Sequence, residues 1–348
     1  MKITLFGAAS EVTGSAYYLE SDSGTVLIDC GLFQGSSKLE KLNRIPAGLS
    51  CEKLDAVLLT HGHLDHCGRL PLLRRAGYRG PIYASAGSFD IARLILEDAA
   101  RIQEDDAERE NRKRKQNGLK AVKPLFSIKD VEKVLEQFRI VEFEKHLQIV
   151  PGIKARFVDA GHILGSSSIE LMLSDDGSEK HVVFSGDIGQ WNAPIVKDPS
   201  IIEKADLCFL ESTYGDRDHR SLPDTLIELE SLVKAAIERK GKILMPIFAV
   251  GRTQQVLYHF AEMFRKKLFE PFPIYLDSPM AIEATRLYAN HPELMDEEAL
   301  ALQESGQLRR DLATLRICRS REQSQALNGI QGPCLILAGS GMCTAGRI

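Results

Sequence analysis

Paired cysteines are missing from this chain. Seven cysteines lie scattered through 348 residues with no CxxC and no regular spacing. That excludes a thiolate zinc ribbon and a secreted disulfide framework, and it points to a reducing, cytoplasmic compartment. A dominant charge is missing too. With 44 Lys+Arg against 48 Asp+Glu the net charge is −4, which excludes a wholesale polycation yet leaves room for a local basic groove. No stretch approaches the roughly 18–20 uninterrupted apolar residues of a membrane span, so no membrane partner is expected. The opening Met1–Gly7 reads as a first strand rather than a signal peptide. Internal repeats and low-complexity tracts are also lacking. What remains is a globular composition, 44% hydrophobic and 26% charged, in a chain long enough for two domains.

Against that plain background one segment stands out. Thr60-His61-Gly62-His63-Leu64-Asp65-His66 follows the apolar run Leu54–Leu59 and packs three imidazoles and a carboxylate into six consecutive positions. Neutral imidazole and carboxylate suit Zn²⁺ and similar first-row cations. In extended backbone His61 and His63 point the same way. Asp65 and His66 fall where the chain must turn, so they can face a neighbouring ion. A solvated polar loop would rarely carry ligands at this density.

Four further residues share the setting of an apolar strand followed by a polar end. Asp29 closes Thr25–Ile28, His162 sits in Gly161-His162-Ile163-Leu164-Gly165, Asp187 follows Val182–Gly186, and Glu211 follows Asp206–Leu210. Each alone reads as a turn residue; as a set they are what a sheet edge needs to present a metal site. His61, His63 and His162 are expected to hold one ion, and Asp65 and His66 a second, with Asp187 bridging. Two divalent ions roughly 3.5–4 Å apart can share a hydroxide and clamp an anionic substrate. Asp29 and Glu211 are expected behind the ligands, accepting free imidazole N–H groups. Cys30 and Cys67 flank the site as packing residues. His146, His181, His219, His259 and His291 are expected on the surface or in packing.

Strands are expected at Lys2–Phe6, Ser15–Leu19, Thr25–Asp29, Ala56–Leu59, Ile82–Ala84, Ile153–Asp159, Ser168–Leu173, His181–Ser185 and Asp206–Leu210, with a hairpin turn at Asp175–Ser178. Helices are expected at Arg69–Arg75 and Ser88–Asn117. The latter ends in the basic run Arg112–Lys115, read as a solvated arm held by charge pairs, with a nucleic-acid edge as the sharper alternative. Beyond the polar stretch Ser212–Ser221 the pattern becomes strand–helix alternation: Lys242–Phe248 then Thr253–Leu268, Pro273–Leu276 then Met280–Asn290, and finally Cys334–Leu337. That favours a mainly parallel sheet with helices on its faces. The domain boundary falls between residues 1–211 and 212–348.

His61-Gly62-His63-Leu64-Asp65-His66, with Asp29, His162 and Asp187, closely resembles the HxHxDH constellation of the metallo-β-lactamase superfamily. Phe209–Gly215, Pro246–Gln254, Tyr275–Ala281, Ser340–Arg347 and Gly7–Ser15 resemble segments of its nucleic-acid-processing β-CASP branch. The resemblance implies an α/β chain: an αββα sandwich of mixed sheets, incomplete at its C-terminal side, with a β-CASP cap on a mainly parallel sheet. It implies a zinc-dependent ribonuclease, an endonuclease with 5′→3′ exonuclease action as a second mode. Asp29, Asp65, Asp187 and Glu211 take catalytic parts. Arg252, Ser278, Ser340, Gly341 and Met342 bind RNA phosphates, through loops whose backbone N–H groups and guanidinium suit anions. Two later histidine motifs of the family are not present, so the chain is expected to be a shortened, weakly active form that binds one metal better than two. An apolar face left uncovered would favour self-association or a homodimer. A metallohydrolase acting on DNA or a small ester, and a non-catalytic subunit of a processing complex, are the alternatives.

Overall fold

The computed structural model describes residues 1–175, 177–343 and 346–348. The chain divides into two compact units, Met1–Trp191 with Asp198–Glu211, and Asn192–Lys197 with Ser212–Ile348.

The first unit holds two sheets. One runs in chain order, β1 (Lys2–Leu5), β2 (Tyr17–Ser21), β3 (Gly24–Ile28), β4 (Ala56–Leu58), β5 (Ile82–Ser85) and β6 (Phe138–Val141). Its first three strands are antiparallel and its last four parallel. The other comprises β7 (His146–Val150), β8 (Ile153–Asp159), β9 (Ser167–Asp175), β10 (Ser178–Phe184) and β11 (Leu207–Phe209), paired in the order β11-β10-β9-β8-β7. Only the β10–β11 pair is parallel there. Alternate residues of each strand turn inward, as the pleat requires. Val26 and Ile28 meet Ile153, Ala155, Phe157, Ile169, Leu171, Leu173, Val182 and Phe184 in one buried core. The two sheets therefore face each other, the mixed-sheet sandwich that the resemblance implies.

The helix Ala86–Gln116 starts at Ser85, whose hydroxyl accepts from the Ser88 N–H, and buries Ile91, Ala92, Ile95, Leu96 and Ala100. Its outer half is solvated and laced by Arg101–Glu97, Arg112–Glu108 and Arg114–Glu110 pairs four residues apart. Two of those pairs belong to the basic-run end, which is the solvated arm expected. Beside it, the helix Ile128–Leu135 opens with a Ser127/Asp130 capping box. The expected hairpin turn includes Asp176, which lies outside the described residues. Strands β6 and β7 carry no legible signal because exposed Arg139, Ile140 and His146 break the apolar alternation.

In the second unit β12 (Lys242–Pro246), β13 (Ile274–Asp277), β14 (Leu315–Ile317) and β15 (Cys334–Ala338) form an all-parallel sheet in the order β12-β15-β13-β14. All of β15 is buried. Leu335 and Leu337 enter one cluster with Phe260, Phe264 and Val233, and Cys334, Ile336 and Ala338 enter another with Tyr275 and Cys318. Burial on both faces explains why this strand reads as a continuous apolar run. The helix Leu222–Glu238, capped by Ser221, follows directly on the polar boundary stretch.

Candidate metal centre

Parallel strands of the first sheet end at a common edge, and the polar residues that follow them are brought together there. Asp29 leaves β3 with φ of 59°, a left-handed conformation that aspartate tolerates better than most residues. Its carboxylate is completely buried. It accepts from the Thr60 N–H at 2.8 Å and from the Thr60 hydroxyl at 2.8 Å, and it lies 2.7 Å from His66 Nδ1. A carboxylate there holds the proton on Nδ1 and leaves Nε2 free to face the site.

The histidine segment does not stay extended. Leu64–Cys67 forms one turn of helix beginning at His63. That turn is clipped in place by backbone bonds from Cys30 N–H to His66 O, Leu32 N–H to Leu64 O and Ser15 N–H to Asp65 O, at 2.8–2.9 Å. Gly31 is required for the clip, because a Cβ there would sit 1.4 Å from the Asp65 carbonyl oxygen. His162 and Asp187 are carried on two loops of the second sheet that touch through the Gly189 N–H and the Ala160 carbonyl, 2.8 Å apart.

The outcome is one convergent set. His61, His63, His162 and Asp187 each present a ligand atom, all within 4.8 Å of one another. His61 Nε2 lies 3.1 Å from His63 Nδ1, His162 Nε2 lies 3.3 Å from His63 Nδ1, and Asp187 Oδ2 lies 3.7 Å from His61 and 3.6 Å from His162. Asp187 Oδ1 turns the other way, 3.1 Å from His66 Nε2, and Asp65 Oδ2 is 3.9 Å from that same nitrogen. The two oxygens of one carboxylate thus address two groups of side chains.

Electrostatics prepare the set for a cation. Burial lowers His61 well below its ordinary value, and burial with the charge of His162 brings His63 down to about 4. Burial would also lower His66, but Asp29 and Asp187 outweigh it and hold the imidazole well above its ordinary value. For Asp187 burial pushes upward, yet His61, His66 and His162 keep it well below the usual carboxylate range. Neutral His61 and His63 beside an ionised Asp187 is the protonation state a divalent cation requires.

Glu211 takes a different place from the one expected. Its Oε1 accepts from the Ile188 N–H at 2.9 Å, and its own N–H donates to Ser185 Oγ at 3.0 Å. It orders the backbone just after Asp187. Two residues without an expected role prove central. Thr60, fully buried, links Asp29 to the ring of His61 through a 3.1 Å contact; its place directly before the histidines was the only signal. Arg69, 1% exposed, donates to the carbonyls of Gly31 and Gly14 and stacks 4.8 Å from the Phe33 ring. Nothing in its local sequence marks it as buried.

In the second unit the other expected residues share one edge of the parallel sheet. Pro246, Ala338 and Asp277 are register partners at the ends of β12, β15 and β13. Arg252 opens the helix Arg252–Arg265 after Gly251, and Ser278 caps the helix Pro279–Asn290. Ser340, Gly341 and the exposed Met342 follow β15, and among the described residues the buried Ser340 hydroxyl oxygen has no hydrogen-bond partner. Below them the buried Asp277 is gripped by Arg347 at 2.7 Å and by Ser324 at 2.6 Å.

Two known families match the chain. The metallo-beta-lactamase superfamily matches residues 9–238, and the Beta-Casp domain matches residues 253–348. The chain is 39% identical over 352 residues to Ribonuclease TTHA0252 of Thermus thermophilus, spanning 100% of this chain and 74% of that one. It is 33% identical over 355 residues to the Transcription termination factor FttA of Methanosarcina mazei, spanning 100% of this chain and 53% of the relative. An RNase J-like protein of Methanocaldococcus jannaschii is 27% identical over 345 residues, covering 98% of this chain and 72% of its own. The chain belongs to the metallo-beta-lactamase superfamily and is a metal-dependent hydrolase. Its second unit places it in the β-CASP branch.

Proposed function

We propose that the chain is a zinc-dependent ribonuclease that cleaves RNA phosphodiesters in RNA processing or decay, as an endonuclease with 5′→3′ exonuclease action as a second mode. The single observation that carries this reading is the convergence of His61, His63, His162 and Asp187. Three imidazoles and a carboxylate are a zinc donor set, and zinc–nitrogen bonds of about 2.0–2.1 Å set tetrahedral edges of about 3.4 Å. Four of the six separations, 3.1–3.7 Å, fit that figure, and all six lie within 4.8 Å. His66, Asp65 and the far oxygen of Asp187 offer a second, sparser set. The names of the relatives, a ribonuclease and a transcription termination factor, favour RNA over DNA or a small ester.

When bound, zinc would supply a hydroxide at neutral pH and neutralise charge developing on the phosphodiester. The chain's own residues supply the rest. Asp29, steadied by Thr60, fixes the His66 tautomer. Asp187 joins the two groups of ligands. Glu211 holds the loop that carries Asp187. Arg252, Ser278 and the Ser340–Met342 loop are proposed to contact phosphate oxygens, gripping the backbone without reading bases. Residues 1–211 are taken as the hydrolase domain and 212–348 as the RNA-binding cap, working in the cytoplasm, with self-association through exposed apolar surface as a further expectation.

Matched RNA and DNA oligonucleotides, labelled at the 5′ end, test the reading. The zinc-loaded protein should cut RNA internally, lose activity on chelation and regain it with zinc. Cleavage of DNA or a small ester alone, or RNA cleavage indifferent to His63→Ala, would overturn it.

A further inference from the structure

Thr60 follows β4, directly precedes His61, and touches several of the segments that carry the metal centre. Its backbone is held from both sheets of the first unit. The N–H donates to Asp29 Oδ1 at 2.8 Å, and the carbonyl accepts from the Ser167 N–H and hydroxyl, each at 2.9 Å. Its side chain packs on Gly186, the residue before Asp187. A Cβ placed on Gly186 would stand 2.8 Å from Thr60 Cβ and 3.1 Å from its methyl carbon. β-branching leaves the side chain few rotamers. With backbone and methyl so placed, the hydroxyl has a set direction.

That hydroxyl lies between a carboxylate and an imidazole. Thr60 Oγ1 is 2.8 Å from Asp29 Oδ2, 3.1 Å from Asp29 Oδ1 and 3.1 Å from His61 Nδ1. His66 Nδ1 is further off, at 3.4 Å, and its proton goes to Asp29 Oδ2 at 2.7 Å. His61 is fully buried, and among the described residues its Nδ1 meets no other hydrogen-bonding group. A hydroxyl has one proton to donate and lone pairs to accept with, whereas a carboxylate only accepts. Two arrangements follow. Were the hydroxyl to donate to His61 Nδ1, its lone pairs would face two carboxylate oxygens with no hydrogen between them. If it donates to Asp29, its lone pair faces His61 Nδ1, and that nitrogen carries the proton. Only the second arrangement satisfies every buried polar atom in the chain of contacts.

We propose that Thr60 is a positioning residue that fixes His61 as the Nδ1–H tautomer, its hydroxyl donating to Asp29 and accepting from His61 Nδ1. Nε2 of His61, which faces His63 and Asp187, then keeps its lone pair for a cation. One carboxylate thereby orients two rings, His66 by direct contact and His61 through a hydroxyl. The two rings belong to the two groups of side chains that Asp187 addresses, so Thr60 extends the reach of Asp29 from the sparser set to the fuller one. The inference rests on the metal-binding part of the proposed function and is indifferent to whether the substrate is RNA.

Two substitutions separate the hydroxyl from the methyl. Thr60→Val keeps the shape and removes the hydroxyl, and Thr60→Ser does the reverse. Nitrogen-15 spectra of the imidazole rings, recorded on the full chain without metal, distinguish the two neutral tautomers. The parent and Thr60→Ser should show His61 protonated at Nδ1. In Thr60→Val the Nε2–H form of His61 should appear, while His66 keeps its Nδ1 proton. Zinc affinity, measured by competition with a chelator, should fall about 10–100-fold in Thr60→Val and stay near the parent value in Thr60→Ser. A parent His61 protonated at Nε2 would overturn the proposal, and that spectrum decides even if Thr60→Val fails to fold. So would a His61 tautomer unchanged in Thr60→Val, whatever its affinity. Equal weakening by both variants would assign the effect to packing against Gly186 and overturn it as well. If the parent bound no zinc, the metal reading alone would fail, and the ring spectra would still decide the role of Thr60.

Discussion

Asp29 and Glu211 look alike on the chain, each an acid at the end of an apolar strand, and the structure gives them separate work. Asp29 touches the ring nitrogen of His66, so Asp29→Asn should weaken zinc binding about 10–100-fold, the usual cost of losing an imidazole's carboxylate partner. Metal content after dialysis against a chelator of known affinity measures this, and an unchanged affinity would remove Asp29 from any role in ligand orientation. The Glu211 carboxylate accepts from the backbone N–H of Ile188. Glu211→Gln keeps an acceptor for the Ile188 N–H, and the loss should be about 1 kcal/mol, roughly fivefold in activity. A loss as deep as that of Asp187→Ala would mean that its charge enters the chemistry. Arg69 is a case for stability rather than activity. Arg69→Ala orphans the carbonyls of Gly31 and Gly14, with an expected cost of about 2–4 kcal/mol read by urea unfolding.

Elements matter here through where they end. β3 and β4 deliver Asp29 and His61, the turn Leu64–Cys67 delivers Asp65 and His66, and loops of the second sheet deliver His162 and Asp187. The two loops approach so closely that glycine is needed: a Cβ on Gly189 would stand 1.7 Å from the Gly161 carbonyl oxygen and 2.8 Å from the His162 nitrogen. Gly189→Ala should therefore separate His162 from Asp187, costing about 1–3 kcal/mol as overpacking and most of the zinc affinity. Full metal loading in that variant, checked by elemental analysis alongside a thermal melt, would show that the close approach is not what assembles the set.

For the whole molecule, metal binding and folding are linked. The ligands come from segments as far apart as residues 61 and 187, so the folded first unit binds what the unfolded chain cannot. Zinc at about one hundred times its dissociation constant should add about 2.7 kcal/mol, raising the melting temperature of that unit by roughly 5–11 °C. Calorimetry with zinc and with chelator reads the shift, and the same rise in His63→Ala would show that zinc acts elsewhere. The second unit, with its own parallel sheet and core, should melt at a temperature that chelation leaves alone.

Local chemistry alone determined much of this protein. Three imidazoles and a carboxylate within six residues announce a cation, because that signal is written in adjacent side chains; Asp29, His162 and Asp187 each read as turn residues, and it is the family resemblance that implies their convergence on it. The strand–helix alternation of the second half is legible in the same local way: strands buried on both faces are apolar throughout. Tertiary structure alone decided which oxygen of Asp187 faces which histidine, that Glu211 serves a backbone N–H, and that Thr60 and Arg69 lie in the interior. These are facts of distance between segments far apart on the chain, and a pattern of neighbours cannot encode a distance that only packing creates.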